Sequence, residues 1–116
     1  MEDCLFCKII NKEVPADFVY EDENYAVFKD IRPVAPFHVL VVPKQHIPTV
    51  NHLEEKDEKT MGGLILTAQK VAQKNNIAGY KLLINVGKDG GQLIDHIHLH
   101  LMSGRTIHKS EIMEKM

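Results

Sequence analysis

Several broad classes are argued against by what this sequence has little of. No apolar run in its 116 residues is long enough for a membrane helix, which takes roughly 20 consecutive apolar residues. Basic residues are not in excess: the formal net charge is −2. A nucleic-acid groove would need a basic stripe, and none is visible. The opening Met1-Glu2-Asp3 lacks a basic n-region, so no signal peptide is expected and the cytoplasm is the default compartment. Cysteine is scarce, with only Cys4 and Cys7 present. In a reducing compartment that C-x-x-C spacing favours metal chelation or redox chemistry over a structural disulfide. Internal repeats and low-complexity segments are missing too, so a single domain over residues 1–116 is expected.

What is present is ordinary for a globular protein: 44% hydrophobic and 26% charged residues. Residues 4–12 form a short helical turn in which Leu5, Phe6, Ile9 and Ile10 are the apolar members, and Pro15 ends it. Phe18–Glu21 and Tyr25–Asp30 make a β-hairpin around Asp22-Glu23-Asn24. Pro33 and Pro36 then force an irregular excursion, because neither can donate into a ladder. The nearly unbroken apolar run His38–Val42 predicts a central strand covered on both faces. From Glu54 to Asn75, Leu64, Ala68 and Val71 recur at helical steps, with Met61 and Ile65 beside them. Gly62-Gly63 should weaken this helix by roughly 1 kcal/mol each and offers a place to kink. Tyr80–Val86 is a further strand. The polar tail from Ser103 to Met116 is a last short helix or a frayed end. The sum is an α+β fold, an antiparallel sheet of about five strands with one long and one short helix.

The stretch Gly90–Met102, GGQLIDHIHLHLM, carries the chemistry. His96, His98 and His100 alternate with Ile97, Leu99 and Leu101, which on a strand puts imidazoles on one face and aliphatics on the other. A neutral imidazole is a competent nucleophile at phosphorus, and His98 in the middle has neighbours to flank a reacting group. The plain alternative is a polar strand that happens to carry histidines. The preceding glycine turn, Gly87–Gln92, allows close approach of backbone to a ligand, and Gln92 offers a neutral amide donor to a phosphoryl oxygen. Cys4 and Cys7 are half of a Cys₂His₂ zinc site. On spacing alone, His38, His46, His52, His96 and His108 are all candidates to complete it.

Taken together, these motifs resemble the histidine triad (HIT) superfamily. His96-Ile97-His98-Leu99-His100-Leu101-Met102 matches its alternating signature. Lys8-Ile9-Ile10, Val14-Pro15-Ala16, Tyr20-Glu21-Asp22, Phe28-x-Asp30-Ile31, Pro36-x-His38, Val42-Pro43-Lys44-x-His46, Asn85 and Gly90-Gly91-Gln92 follow in family order. The likeness spans about residues 4–102 and is nearest to the Hint-like branch, the purine nucleoside phosphoramidases, in its zinc-bearing form.

The resemblance implies a homodimeric HIT-like fold that binds purine nucleoside monophosphates, with neither nucleic acid nor membrane as partner. It implies hydrolysis of the P–N bond of AMP-type phosphoramidates through a nucleotidyl-histidine. His98 would attack, with His100 and His38 setting tautomers or passing protons. Asn85, Gly91 and Gln92 would contact ribose or phosphate, Phe6, Ile9, Phe28 and Ile31 would wall the base, and Asp30 would take the ribose hydroxyls. Cys4, Cys7, His46 and His96 would hold one structural zinc per chain, with no organic cofactor. A dinucleoside polyphosphate hydrolase and a nucleotide-binding regulatory module with little catalysis are the competing readings. Three positions depart from the family pattern: Leu93 stands where a serine is usual, Asp95 where an aromatic is frequent, and the tail lacks the usual tryptophan- and proline-containing ending.

Overall fold

The structure, a computed structural model, describes residues 3–104. The tail beyond them, with its expected last helix and His108, lies outside the described residues. Helix α1 (Leu5–Ile10) is followed by β1 (Phe18–Glu21), β2 (Tyr25–Lys29), β3 (Phe37–Pro43), α2 (Glu58–Lys74), β4 (Lys81–Leu83) and β5 (Leu99–Ser103). The strands form one sheet in the order β1-β2-β3-β5-β4, and every neighbouring pair is antiparallel.

The two faces of the sheet sort the side chains as the period of two requires. Tyr25 and Val27 of β2, Val39 and Val41 of β3, and Leu99 and Leu101 of β5 pack beneath Leu64, Ala68, Val71 and Ala72 of α2. The alternate residues Ala26, Phe28, Leu40 and Val42 pack against Phe6 and Ile9 of α1. Covered on both sides, β3 is buried from His38 to Pro43, as its near-continuous apolar run predicts.

Several boundaries differ from the sequence reading, and three of them have a clear local cause. Strand β5 begins at Leu99, so His96 and His98 precede it. Its register pairs Val41 with Leu99, which would put Ile97 opposite Pro43, a residue with no N–H to give. The Ile97 N–H instead donates to the Ile47 carbonyl at 2.7 Å. Strand β4 stops at Leu83, opposite His100, because the strand it pairs with ends one residue further on. The expected helix start at Glu54 is a 3₁₀ turn, Glu55–Asp57, in which the Asp57 carboxylate reaches back to the Glu54 N–H at 3.0 Å. At its end β2 stops at Lys29, so Asp30 is outside the sheet.

Helix α2 runs without a break through Gly62-Gly63. Gly63 is a packing residue: a Cβ there would collide with the Tyr25 hydroxyl, which donates to the Thr60 carbonyl at 2.7 Å.

Candidate functional site

Two clusters of polar side chains meet where β3, β5 and α1 converge. In the first, Cys4 caps α1 and its sulfur accepts the Cys7 N–H at 3.3 Å, so one helical turn brings both sulfurs to one side. The His96 Nδ1 lies 3.4 Å from Cys4 Sγ, 3.6 Å from Cys7 Sγ and 3.1 Å from His46 Nδ1. His46 Nδ1 lies 3.3 Å from Cys7 Sγ. Metal–nitrogen and metal–sulfur bonds of about 2.0 and 2.3 Å in a tetrahedron give ligand–ligand edges of about 3.3–3.8 Å. The four separations above, 3.1–3.6 Å, come near that spacing, and all four ligand atoms lie within 4.8 Å of one another.

Tautomers and charge agree with metal binding. The His96 Nε2 lies 2.7 Å from the Pro43 carbonyl. A carbonyl only accepts, so Nε2 carries the proton and Nδ1 turns its lone pair to the sulfurs. Burial holds the His96 imidazolium down to about 4, against a favourable bond to Pro43 and with the neighbouring His46 and His98 adding to the depression. His46 is likewise lowered, first by burial. Burial, reinforced by Cys4, pushes the Cys7 thiol up to about 11. Both rings are thus neutral and ready to ligate, whereas the Cys7 thiol needs a cation to release its proton. Cys4, Cys7, His46 and His96 form a group that can hold a metal ion.

The second cluster contains the remaining histidines. His98 Nδ1 lies 2.8 Å from the His96 carbonyl, so Nδ1 is the protonated nitrogen and the neutral ring keeps its lone pair on Nε2. The Val34 N–H donates to His38 Nδ1 at 3.2 Å, which puts the proton of neutral His38 on Nε2. That nitrogen is 2.9 Å from His100 Nδ1. His100 Nδ1 therefore accepts, and its own proton sits on Nε2. The rings of His98 and His100 lie side by side, with centroids 5.1 Å apart. One offers a lone pair, its neighbour an N–H. The Phe6 ring meets His98 edge-on at 5.0 Å and limits its rotation.

Known proteins were compared with the chain. A family model described as the scavenger mRNA decapping enzyme C-terminal binding region matches residues 3–115. The purine nucleoside phosphoramidase of Escherichia coli K12 is 44% identical over 108 residues, covering 91% of each chain. A HIT family hydrolase structure from Legionella pneumophila superposes with a TM-score of 0.89 at 44% identity, covering 94% of this chain and 99% of that one.

The chain belongs to the histidine triad family.

A histidine triad protein from Clostridium difficile gives a TM-score of 0.88 at 37% identity, over 90% of this chain and 93% of that one. Within this histidine triad fold the expected residues are distributed unevenly. Phe6, Ile9 and Phe28 are buried together behind the histidines. Ile31, expected with them at the base, is 89% exposed. Asn85 donates its amide to the Gly90 carbonyl at 2.8 Å.

The glycine loop differs most from expectation. Gly87 and Gly91, with φ of 70° and 85°, bracket a 3₁₀ turn at Lys88–Gly90. The N–H groups of Gly90, Gly91 and Gln92 all donate inside it, to Gly87, Lys88 and Gly87 carbonyls at 3.0–3.1 Å. The Gln92 amide, expected on phosphate, donates instead to the Pro48 and Ile94 carbonyls at 2.7 and 2.8 Å. Its oxygen accepts the Gly87 N–H at 2.9 Å. Tight closure of the turn uses these groups, so Gln92 is a strut that ties the loop to Pro48.

Leu93 is 87% exposed. With Asp95, Cys4 and His46 it lines a cavity of about 310 Å³ beside the cysteines. Asp30 turns one carboxylate oxygen to within 3.2 Å of His38 Nε2 and takes the Arg32 N–H on the other at 2.8 Å.

Sequence reasoning missed the Val34 N–H and the Pro43 and His96 carbonyls. These main-chain groups fix the tautomers of His38, His96 and His98, and a main-chain group has no letter of its own to announce it.

Proposed function

We propose that this protein hydrolyses the P–N bond of purine nucleoside 5′-phosphoramidates of the AMP type. The observation that carries the proposal is the hydrogen-bond pattern of two rings whose centroids lie 5.1 Å apart, which assigns a lone pair to His98 Nε2 and a proton to His100 Nε2. His98 attacks the phosphorus, the P–N bond breaks, and the departing amine takes a proton from the His100 side. Water then cleaves the nucleotidyl-His98 to release the nucleoside monophosphate. The 44% identity to a purine nucleoside phosphoramidase supports this substrate class. Liquid chromatography of products from adenosine 5′-phosphoramidate and from a diadenosine polyphosphate tests it. The proposal expects the phosphoramidate to turn over faster, and the opposite order would favour a dinucleoside polyphosphate hydrolase.

Zinc is the metal we assign to Cys4, Cys7, His46 and His96, on the softness and tetrahedral spacing of the donors. With four protein ligands it has no position for water, so its contribution is structural, tying α1 to the histidine segment.

A homodimer is part of the same reading. Among the described residues strand β4 lies at one edge of the sheet, and Leu82 on it, Tyr80 just before it, and Ile65 and Leu66 on α2 are exposed apolar residues. A second copy covering them accounts for that exposure, and light scattering at micromolar concentration tests it.

A further inference from the structure

The cysteine pair fits two chemistries, and metal binding uses only one of them. Cys4 is the N-cap of α1, and its carbonyl accepts the Lys8 N–H at 3.1 Å, so the chain is already on the helical path there. Residues three apart on that path have Cα atoms about 5 Å apart, inside the range of about 4.4–6.8 Å that a disulfide spans. Both sulfurs face one nitrogen, His96 Nδ1, at 3.4 and 3.6 Å. They lie within 4.8 Å of each other, so closing an S–S bond of about 2.0 Å is mainly a matter of side-chain rotation.

The pair is also within reach of a small oxidant. Cys4 and His46 share the wall of a cavity of about 310 Å³ with the exposed Leu93 and Asp95, and Cys7 is half-buried. A water molecule takes roughly 30 Å³ of liquid, and hydrogen peroxide is little larger. Both thiols are free and the chain has no third cysteine, so oxidation within one chain has a single disulfide product. That product and the metal exclude each other. A ligand sulfur is a thiolate, whereas a disulfide sulfur is neutral, and His46 and His96 alone are a weak pair of ligands.

We propose that Cys4 and Cys7 are a site of reversible oxidation by hydrogen peroxide, at which disulfide formation displaces zinc and slows the histidine chemistry. One thiolate attacks a peroxide oxygen. The O–O bond breaks, hydroxide leaves, and the sulfur becomes a sulfenic acid. The second thiolate attacks that sulfur, the S–S bond forms, and the sulfenic oxygen leaves as hydroxide. Two electrons pass from the sulfurs to the peroxide, two protons from solvent turn the hydroxides into water, and the zinc ion is released to solvent. His96 loses the metal from its Nδ1, and its carbonyl is the group that accepts the His98 Nδ1–H at 2.8 Å. Oxidation at α1 thereby loosens the contact that sets the tautomer of His98.

This rests on the zinc assignment above, and the test separates the two. Reduced protein is loaded with zinc, freed of excess metal, and treated with hydrogen peroxide beside a chromophoric chelator. One zinc per chain should be released in step with the loss of both thiols. Trypsin cuts after Lys8, so both cysteines fall in the peptide Met1–Lys8, which should become lighter by two hydrogen atoms. Turnover of adenosine 5′-phosphoramidate should fall by about 10-fold or more, in the range that loss of supporting groups around a metal costs. Dithiothreitol with zinc should restore metal, mass and turnover together. Zinc retained on intact thiols would overturn the proposal, as would cysteines that gain oxygen irreversibly or a disulfide that joins two chains. Turnover lost while the thiols stay intact would place the damage on methionine and overturn it too. Zinc released at unchanged turnover would overturn the link to the histidines. Should the phosphoramidate not be a substrate, the nitrogen NMR signals of the His98 ring decide, with a change on oxidation supporting that link and unchanged signals overturning it. Reduced protein that takes up no zinc would overturn the zinc assignment itself and this proposal with it.

Discussion

The Nδ1–H of His98 donates to the main-chain oxygen of His96 across 2.8 Å. One triad residue thus fixes the tautomer of the next through its backbone, while its ring faces the cysteines. The ring of His96 is in turn held by the Pro43 carbonyl at 2.7 Å. The metal group and the reactive row are joined at one residue, so what disturbs the first should loosen the second.

Metal loss is the direct probe of that joint. Cys7→Ser, or treatment with a strong chelator, should release one equivalent of zinc and lower the stability of the fold. At free zinc a thousandfold above its dissociation constant, the loss is about 4 kcal/mol. Elemental analysis with thermal melts checks it, and metal-free protein with an unchanged melt would contradict the assignment.

The adjacent glycines of α2 should respond oppositely to alanine. Nothing lies within 4 Å of a Cβ on Gly62, so Gly62→Ala should stabilise by up to about 1 kcal/mol through helix propensity. Gly63→Ala drives a methyl into the Tyr25 hydroxyl and should destabilise by about 1–3 kcal/mol, as overpacking does. Urea unfolding of the two variants reads the difference in sign.

This glycine pair illustrates what the sequence made legible. The helix was visible in the spacing of Leu64, Ala68 and Val71, whereas the reason for Gly63 lies in Tyr25, which reaches it only through the fold. The strands were readable from the hairpin turn at Asp22-Glu23-Asn24, the unbroken run His38–Val42 and the alternation around His98, but their ends depend on partners: Pro43 cuts β5 short, and β5 then cuts β4. The metal group followed from Cys4-x-x-Cys7 and family order, where spacing alone left five histidines open. The glycine loop was recognised, but the internal bonds of its amides were not, because free and internally bonded amides have the same sequence. Asp30 was picked out for a ribose contact, and its 3.2 Å approach to His38 is a relationship that no spacing in the sequence announces.

Gln92 makes three hydrogen bonds while buried. Gln92→Ala should leave those loop groups unpaired and cost about 1–3 kcal/mol. If the loop also shapes the phosphate site, KM should rise together with the loss of stability. Thermal melts and steady-state kinetics on the same preparation check both.

Asp22 closes the β1–β2 hairpin. Its carboxylate accepts the N–H groups of Asn24 and Tyr25 and the Tyr20 hydroxyl, each at 2.8 Å. Partial burial raises its pKa, but these donors outweigh it and the net shift is below the usual 3.8. A depressed carboxyl contributes stability above its unfolded value, and that stability is lost as pH falls through the folded value. Asp22→Ala should therefore cost about 1–2 kcal/mol at pH 7, with the gap to wild type closing below the usual carboxylate value. Unfolding curves across acid pH measure it.

The central claim is that His98, with its lone pair on Nε2, forms the covalent bond to phosphorus. Peptide mass spectrometry of protein quenched in alkali during turnover of adenosine 5′-phosphoramidate tests it most directly, because phosphorus–histidine bonds survive alkali. The account predicts a nucleotidyl group on the peptide containing His98, attached to that residue and absent in His98→Ala. An adduct on His100, or steady turnover by His98→Ala at the wild-type rate, would contradict it.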